Sequence, residues 1–166
     1  ASDVYKRQHI YFIVKTKEVI WEERRKYFIN RLIKEKNEGR VDEDMIELLY
    51  TINSLENYYT LSSCSGRVQF LEGKNIGKRK EIKNIGKFHL GVSLEDFNKI
   101  LNERREYVWI LLQPPILHVA CKTLDDALKL LNIARKCGFK HSGILSKNID
   151  RYVLELNSSV KIEFPI

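Results

Sequence analysis

YTLSSCSGRVQF, residues 59–70, is a strand that breaks off and then resumes. Tyr59, Thr60 and Leu61 have β character, as do Val68, Gln69 and Phe70, and Ser62-Ser63-Cys64-Ser65-Gly66-Arg67 stands between them. A plain hairpin needs only a turn pair such as Asn-Gly. Six small or polar residues ending in a cation suit a loop that holds something. Consecutive backbone N–H groups in a tight, glycine-containing turn form an anion-binding concavity, to which the hydroxyls and Arg67 add donors. The same residues also read as a polar turn around a partly buried thiol.

Working outward, two helices precede this stretch. Trp21, Phe28, Ile29, Leu32 and Ile33 share one helical face opposite Glu22, Arg24, Arg25, Lys34 and Lys36, and Gly39 stops the helix. The second runs from Asp42 to Leu55, with Met45, Leu48, Leu49 and Ile52 inward and Asp42, Glu43 and Asp44 at its positive end. Beyond the strands at 58–63 and 67–71 the pattern predicts another at 81–90. Ser93-Leu94-Glu95-Asp96 then opens a short helix ending near Glu103. YVWILLQ (107–113) and ILHVAC (116–121) are strands, and Pro114-Pro115 forces an extended corner between them. Thr123-Leu124-Asp125-Asp126 opens a helix with Leu124, Leu128, Leu131 and Ala134 as its core stripe, closed by Gly138. Strands at 142–146, 151–157 and 160–164 follow; in the last, Val160, Ile162 and Phe164 alternate with Lys161 and Glu163 as in a half-buried strand. The expected fold is one α+β domain, a mostly antiparallel sheet packed with about four helices.

The bulk properties fit. A chain of 166 residues, 43% hydrophobic and 31% charged, is globular in composition and of single-domain length. Its net charge of +7 suits an anionic partner such as nucleic acid, although many basic proteins bind none. The three cysteines form no CxxC pair, and no Cys/His spacing reads as zinc, so no metal is expected and a reduced, cytoplasmic setting fits. No apolar run reaches the length of a membrane span, and HIYFIV (9–14) is too short for a signal-peptide core. SDVYKRQ (2–8) reads either as translated adapter sequence or as an ordinary, poorly ordered terminus. Residues 1–20 are therefore set apart from a domain over 21–166.

Chemistry has few other candidates. His118 lies inside ILHVAC, where a histidine is commonly structural, but facing a pocket it would serve as a general base. His89 stands near the end of GKFHL (86–90), two residues after Lys87, and a surface role is its default. Tyr58, Tyr59, Phe88, Tyr107 and Trp109 interleave with Lys74, Lys78, Arg79, Lys80, Lys83 and Lys87. Cations beside rings suit single-stranded or flipped bases; core rings beside a solvated loop give the same pattern. No strand leads into a glycine fingerprint with an acidic residue beyond it, which argues against the common Rossmann-type methyltransferase, dehydrogenase and kinase folds.

Several segments occur together in the order of one family: Val41-Asp42-Glu43, Ile52-Asn53-Ser54, Tyr59-Thr60, Ser62-Ser63-Cys64-Ser65-Gly66-Arg67, Gly86-Lys87-Phe88-His89, Pro114-Pro115-Ile116-Leu117-His118-Val119, Gly138-Phe139-Lys140, Ser142-Gly143-Ile144 and Phe164-Pro165-Ile166. Over about 21–166 the chain resembles the tRNA wybutosine/wyosine-derivative synthesising methyltransferases, the third-step enzyme of archaeal type. The resemblance implies S-adenosyl-L-methionine-dependent methylation of N-4 of the 7-aminocarboxypropyl-demethylwyosine nucleotide, 3′ of the anticodon in phenylalanine tRNA, on a fold that is not Rossmann-type. On that reading Ser63, Cys64, Ser65, Gly66 and Arg67 are the candidates to bind the cofactor's carboxylate or an anionic part of the nucleotide, and His118 or His89 is the candidate base. Lys87, Ser142 and Gly143 would meet the substrate, and the basic residues of 74–87 would hold the anticodon arm; no obligate protein partner is implied. A non-catalytic RNA-binding module is the alternative, and a small-molecule enzyme with a basic surface is a third. The first twenty residues depart from the family, and its members usually continue past Phe164-Pro165-Ile166, so a C-terminally truncated frame is expected.

Overall fold

A computed structural model describes residues 16–89, 91–103 and 105–166, and the side chain of Arg79 lies outside that description. The elements in chain order are α1 (Lys17–Asn37), a 3₁₀ turn (Glu43–Met45), α2 (Ile46–Ser54), β1 (Tyr58–Cys64), β2 (Arg67–Glu72), a second 3₁₀ turn (Arg79–Glu81) and β3 (Lys83–Phe88). They continue with α3 (Leu94–Asn102), β4 (Val108–Gln113), β5 (Ile116–Cys121), α4 (Leu124–Lys136), β6 (Gly143–Lys147), β7 (Tyr152–Asn157) and β8 (Ile162–Pro165). The α+β, largely antiparallel, non-Rossmann architecture expected from sequence is what forms.

The strands make two four-stranded antiparallel sheets, ordered β1-β5-β7-β6 and β3-β2-β4-β8. Three stretches of chain pass from one sheet to the other. In the first sheet Cys64 pairs with Ile116, and just across the gap, in the second, Arg67 pairs with Gln113. Ser65-Gly66 and Pro114-Pro115 are thus matching bends in one paired ribbon. Gly66 has φ +98°, and a Cβ there would stand 2.7 Å from the Gln113 carbonyl oxygen and 3.2 Å from the Pro114 carbonyl carbon. Both the backbone conformation and the contact demand glycine. Close by, β1 carries a bulge between Thr60 and Ser62 that re-aims the residues leading into the bend.

Helices cover both faces of the first sheet. On one, Trp21 and Phe28 of α1 pack on Tyr59, ring centroids 4.9 and 5.4 Å apart, with Ala120 and Leu61 beside them. On the other, Met45, Leu49, Ile52, Leu131 and Ala134 close over Leu117, Val119 and Leu154. Buried Asn53 locks α2 to β1: its Nδ2 donates to Leu49 O and Thr60 Oγ1, both at 2.7 Å, and its Oδ1 accepts from Thr60 N at 3.1 Å. In the second sheet Phe70 and Val108 pack with Ile100 and Phe97 of α3.

Some expected core positions face outward. Ile33, Leu48, Leu124 and Leu128 are exposed, whereas Leu49, Ala127, Leu131 and Ala134 are buried. One residue along a helix is about 100° around it, so the covered stripe is narrower than the leucine pattern. Val160, Ile162 and Phe164 are also exposed; the last two lie on β8, an outer strand that among the described residues pairs only with β4. The helix expected from Asp42 begins as a 3₁₀ turn, and the strand expected over 81–90 is shortened to β3; Leu90 and the segment 1–15 lie outside the described residues.

Candidate active site

The Ser62–Arg67 stretch sits at the junction of the two sheets, and side chains from three other places reach it. Ser65 N donates to Asp42 Oδ2 at 2.8 Å. The other oxygen, Asp42 Oδ1, lies 3.2 Å from His89 Nδ1, just beyond the end of β3. Arg67 Nη2 donates to Cys64 Sγ at 3.2 Å. Ser65 Oγ is buried and has no partner among the described residues, the condition of a polar atom that awaits a ligand or a water.

Two hollows meet at Ser65. A cleft of about 240 Å³ is lined by Ser65, Gly66, Arg67, His89, Gln113 and Pro115, among others. A pocket of about 310 Å³ lies between α2 and α4, lined by Met45, Leu48, Ile52, Leu117, Ile133 and Phe139, with Ser65 and Pro115 on its rim. One hollow offers a guanidinium, an imidazole and an orphaned hydroxyl; the other offers apolar walls. That pairing suits an amphiphile with a charged end and a flat apolar body. The donor set therefore fits S-adenosyl-L-methionine.

Asp42, Cys64 and His89 bring one donor atom each within 4.8 Å of one another, a grouping open to a cation. The Arg67 guanidinium already supplies positive charge at that thiol, and Asp42 is already engaged by the Ser65 N–H and by His89. It therefore reads as a polar cluster rather than a metal centre.

Of the candidates from sequence, the structure brings Cys64, Ser65, Gly66, Arg67 and His89 to one place, whereas Ser63 on β1 lines a separate hollow with Phe28, Arg31 and Glu35. Lys87 is exposed on β3, two residues before His89 and opposite Gln69. His118 lies mid-strand on β5 with both ring nitrogens engaged, Nδ1 at 2.9 Å from Ser62 Oγ on β1 and Nε2 at 3.1 Å from Glu155 Oε2 on β7. Ser142 and Gly143 are elsewhere: β6 is the edge of the first sheet farthest from β1. Ser142 Oγ donates to Phe139 O at 2.7 Å and accepts from Asn157 N at 3.0 Å, tying the turn into β6. Asp42, whose place ahead of α2 suggests a helix-dipole acid, joins this cluster instead. The signal was its place in the Val41-Asp42-Glu43 segment.

The same architecture occurs in a solved structure of a Pyrococcus horikoshii protein, with TM-score 0.79 and 40% identity, covering 87% of this chain and 75% of that one. A hypothetical protein from Aeropyrum pernix aligns with TM-score 0.65 and 31% identity, over 75% of this chain and 73% of that one. The family model of methyltransferase TYW3 matches residues 23–166, spanning both sheets and the bend. The chain belongs to the methyltransferase TYW3 family. A TYW3 relative from Pyrococcus horikoshii is 46% identical over 126 residues, covering 75% of this chain and 64% of its own length. It is named tRNA(Phe) 7-((3-amino-3-carboxypropyl)-4-demethylwyosine(37)-N(4))-methyltransferase 1. An Archaeoglobus fulgidus relative with the same enzyme name, without the final numeral, is 36% identical over 148 residues, covering 89% of this chain and 74% of that one. This chain thus spans slightly under two thirds of the Pyrococcus relative. The resemblance read from the motifs is borne out at the level of the family.

Proposed function

We propose that this TYW3-family chain is an S-adenosyl-L-methionine-dependent N-methyltransferase acting on N(4) of the 7-(3-amino-3-carboxypropyl)-4-demethylwyosine nucleotide beside the anticodon of phenylalanine tRNA. The observation that carries the reading is the convergence of Arg67, the orphaned Ser65 hydroxyl and the Asp42–His89 pair where the two hollows meet. The names of the relatives supply the substrate.

When bound, the cofactor supplies an electrophilic methyl carbon. The chain supplies the rest. Arg67 and Ser65 Oγ receive the carboxylate of the amino-acid end through charge-assisted hydrogen bonds, and the apolar walls between α2 and α4 hold the flat ring and keep water from it. Displacement needs reacting atoms in line and close, so holding both partners supplies most of the rate. A histidine takes the proton of the accepting nitrogen. His89 has the accessible position; His118 would have to give up a partner first. Lys74, Lys78, Lys80, Lys83 and Lys87 follow the β2–β3 hairpin and hold phosphates of the anticodon arm, with Lys78 also 3.3 Å from Glu81. No helix among the described residues is long and apolar enough to cross a membrane, and a reaction on tRNA suits the cytoplasm.

The test is transfer of a labelled methyl group from S-adenosyl-L-methionine to phenylalanine tRNA carrying the unmethylated precursor. The expected product is labelled at N(4), and binding of that tRNA weakens as salt rises. Folded protein that binds the tRNA but neither binds the cofactor nor transfers the label would point instead to an RNA-binding module.

A further inference from the structure

Asp42 uses its carboxylate in a way its position does not require. It precedes a 3₁₀ turn with extended backbone, φ −60° and ψ 125°, where an aspartate ordinarily bonds the first N–H groups of its own helix. It makes no such bond. Both oxygens turn away, one to the Ser65 N–H at 2.8 Å and one to His89 Nδ1 at 3.2 Å.

An ionised carboxylate oxygen 3.2 Å from Nδ1 favours the proton on that nitrogen, because a bare Nδ1 would set its lone pair against those of the oxygen. Neutral His89 then presents Nε2 as an acceptor, and among the described residues nothing bonds to it. The imidazole is 42% exposed and its partner 20%, so the open nitrogen is reachable from the cleft while the link that holds the ring is largely sheltered. His118 has no such freedom, since Ser62 and Glu155 occupy both of its nitrogens.

We propose that Asp42 is a positioning residue: it holds His89 in the Nδ1–H tautomer, leaves Nε2 as the proton acceptor of the cleft, and through Ser65 fixes the loop to that acceptor. One carboxylate thereby ties the approach to α2, the bend between the sheets and the end of β3 into a unit. The catalytic consequence rests on the N-methyltransferase reading above. As the bond from nitrogen to methyl carbon forms and the donor's carbon–sulfur bond breaks, the nitrogen's proton passes to His89 Nε2.

The first test needs no turnover. ¹⁵N NMR of the imidazole nitrogens in the full chain is expected to show His89 protonated at Nδ1 at neutral pH. In Asp42→Asn the side-chain amide can donate to Nδ1, and the expected result is a switch to the Nε2–H form. Wild type with the proton on Nε2 overturns the proposal, whatever the variant does.

The second test is single-turnover methyl transfer. Asp42→Asn is expected to slow the step by about 10²–10³-fold, with cofactor affinity within about threefold of wild type. His89→Ala is expected to fall similarly and to recover in part with added imidazole, a response that a merely structural role would not give. An Asp42→Asn step at the wild-type rate overturns the proposal. Wild type that transfers no methyl overturns the reading of the reaction, and the tautomer measurement still decides the role of Asp42.

Discussion

His118 and His89 each stand near a carboxylate, at 3.1 Å and 3.2 Å, yet their surroundings assign them different work. His118 lies in the middle of a central strand, with neighbours on both sides supplying Ser62 and Glu155. Every hydrogen bond its ring can make is spent within the sheet. His89 follows the end of β3, where the ladder has stopped, and among the described residues only one ring nitrogen is held. The lesson concerns place rather than residue type. A polar group inside a ladder is tied from both sides, and one at a strand end is tied once and left able to react.

The largest expected effect breaks that comparison directly. His89→Ala should lower single-turnover methyl transfer by about 10²–10³-fold with the circular dichroism spectrum unchanged. Gly66→Ala should come next. It places a Cβ 2.7 Å from the Gln113 carbonyl oxygen at a residue of φ +98°, and a loss of about 2 kcal/mol in urea unfolding is expected, with cofactor binding weakened because the bend carries the loop. His118→Ala should cost about 1 kcal/mol of stability, discounted for partial exposure, by leaving Ser62 and Glu155 without their shared partner.

The effect that is smallest at neutral pH, and emerges only in alkali, lies in the core of the first sheet. Burial pushes the Cys121 thiol up to about 12 from 9.0, and the Tyr59 hydroxyl up to about 12 from 10.0. Both groups are neutral when protonated, so the unfolded chain releases these protons at lower pH than the folded one. Stability should therefore be full below about pH 9 and fall as pH rises towards 12. Cys121→Val should flatten the first part of that fall, read as the urea midpoint against pH.

Much of the fold is legible in the sequence because strands and helix stripes are local patterns. ILHVAC, the Pro114-Pro115 corner and the Ser93 and Thr123 caps all announce themselves within a few residues, and both hydroxyls accept from the backbone N–H three residues on. What remained hidden is what chain contacts decide. A leucine at the rim of a helical stripe has the same pattern whether or not a neighbour covers it, so Leu48, Leu124 and Leu128 read as core and are exposed. An aspartate ahead of a helix looks the same whether its carboxylate caps that helix or turns to a distant loop; Asp42 does the latter. His89 joins the loop only because β3 pairs with β2, bringing Phe88 opposite Val68. The Ser62–Arg67 stretch stood out because its small residues and cation exceed what a turn needs.

The central claim is that the bend between the two sheets holds the methyl donor, and isothermal titration of the folded chain with S-adenosyl-L-methionine and S-adenosylhomocysteine, on wild type and on Arg67→Ala, tests it most directly. Saturable binding to wild type, weakened about tenfold or more in the variant by loss of a charge-assisted pair, is the predicted result. Wild-type affinity in Arg67→Ala, or no binding to folded wild type, would contradict it.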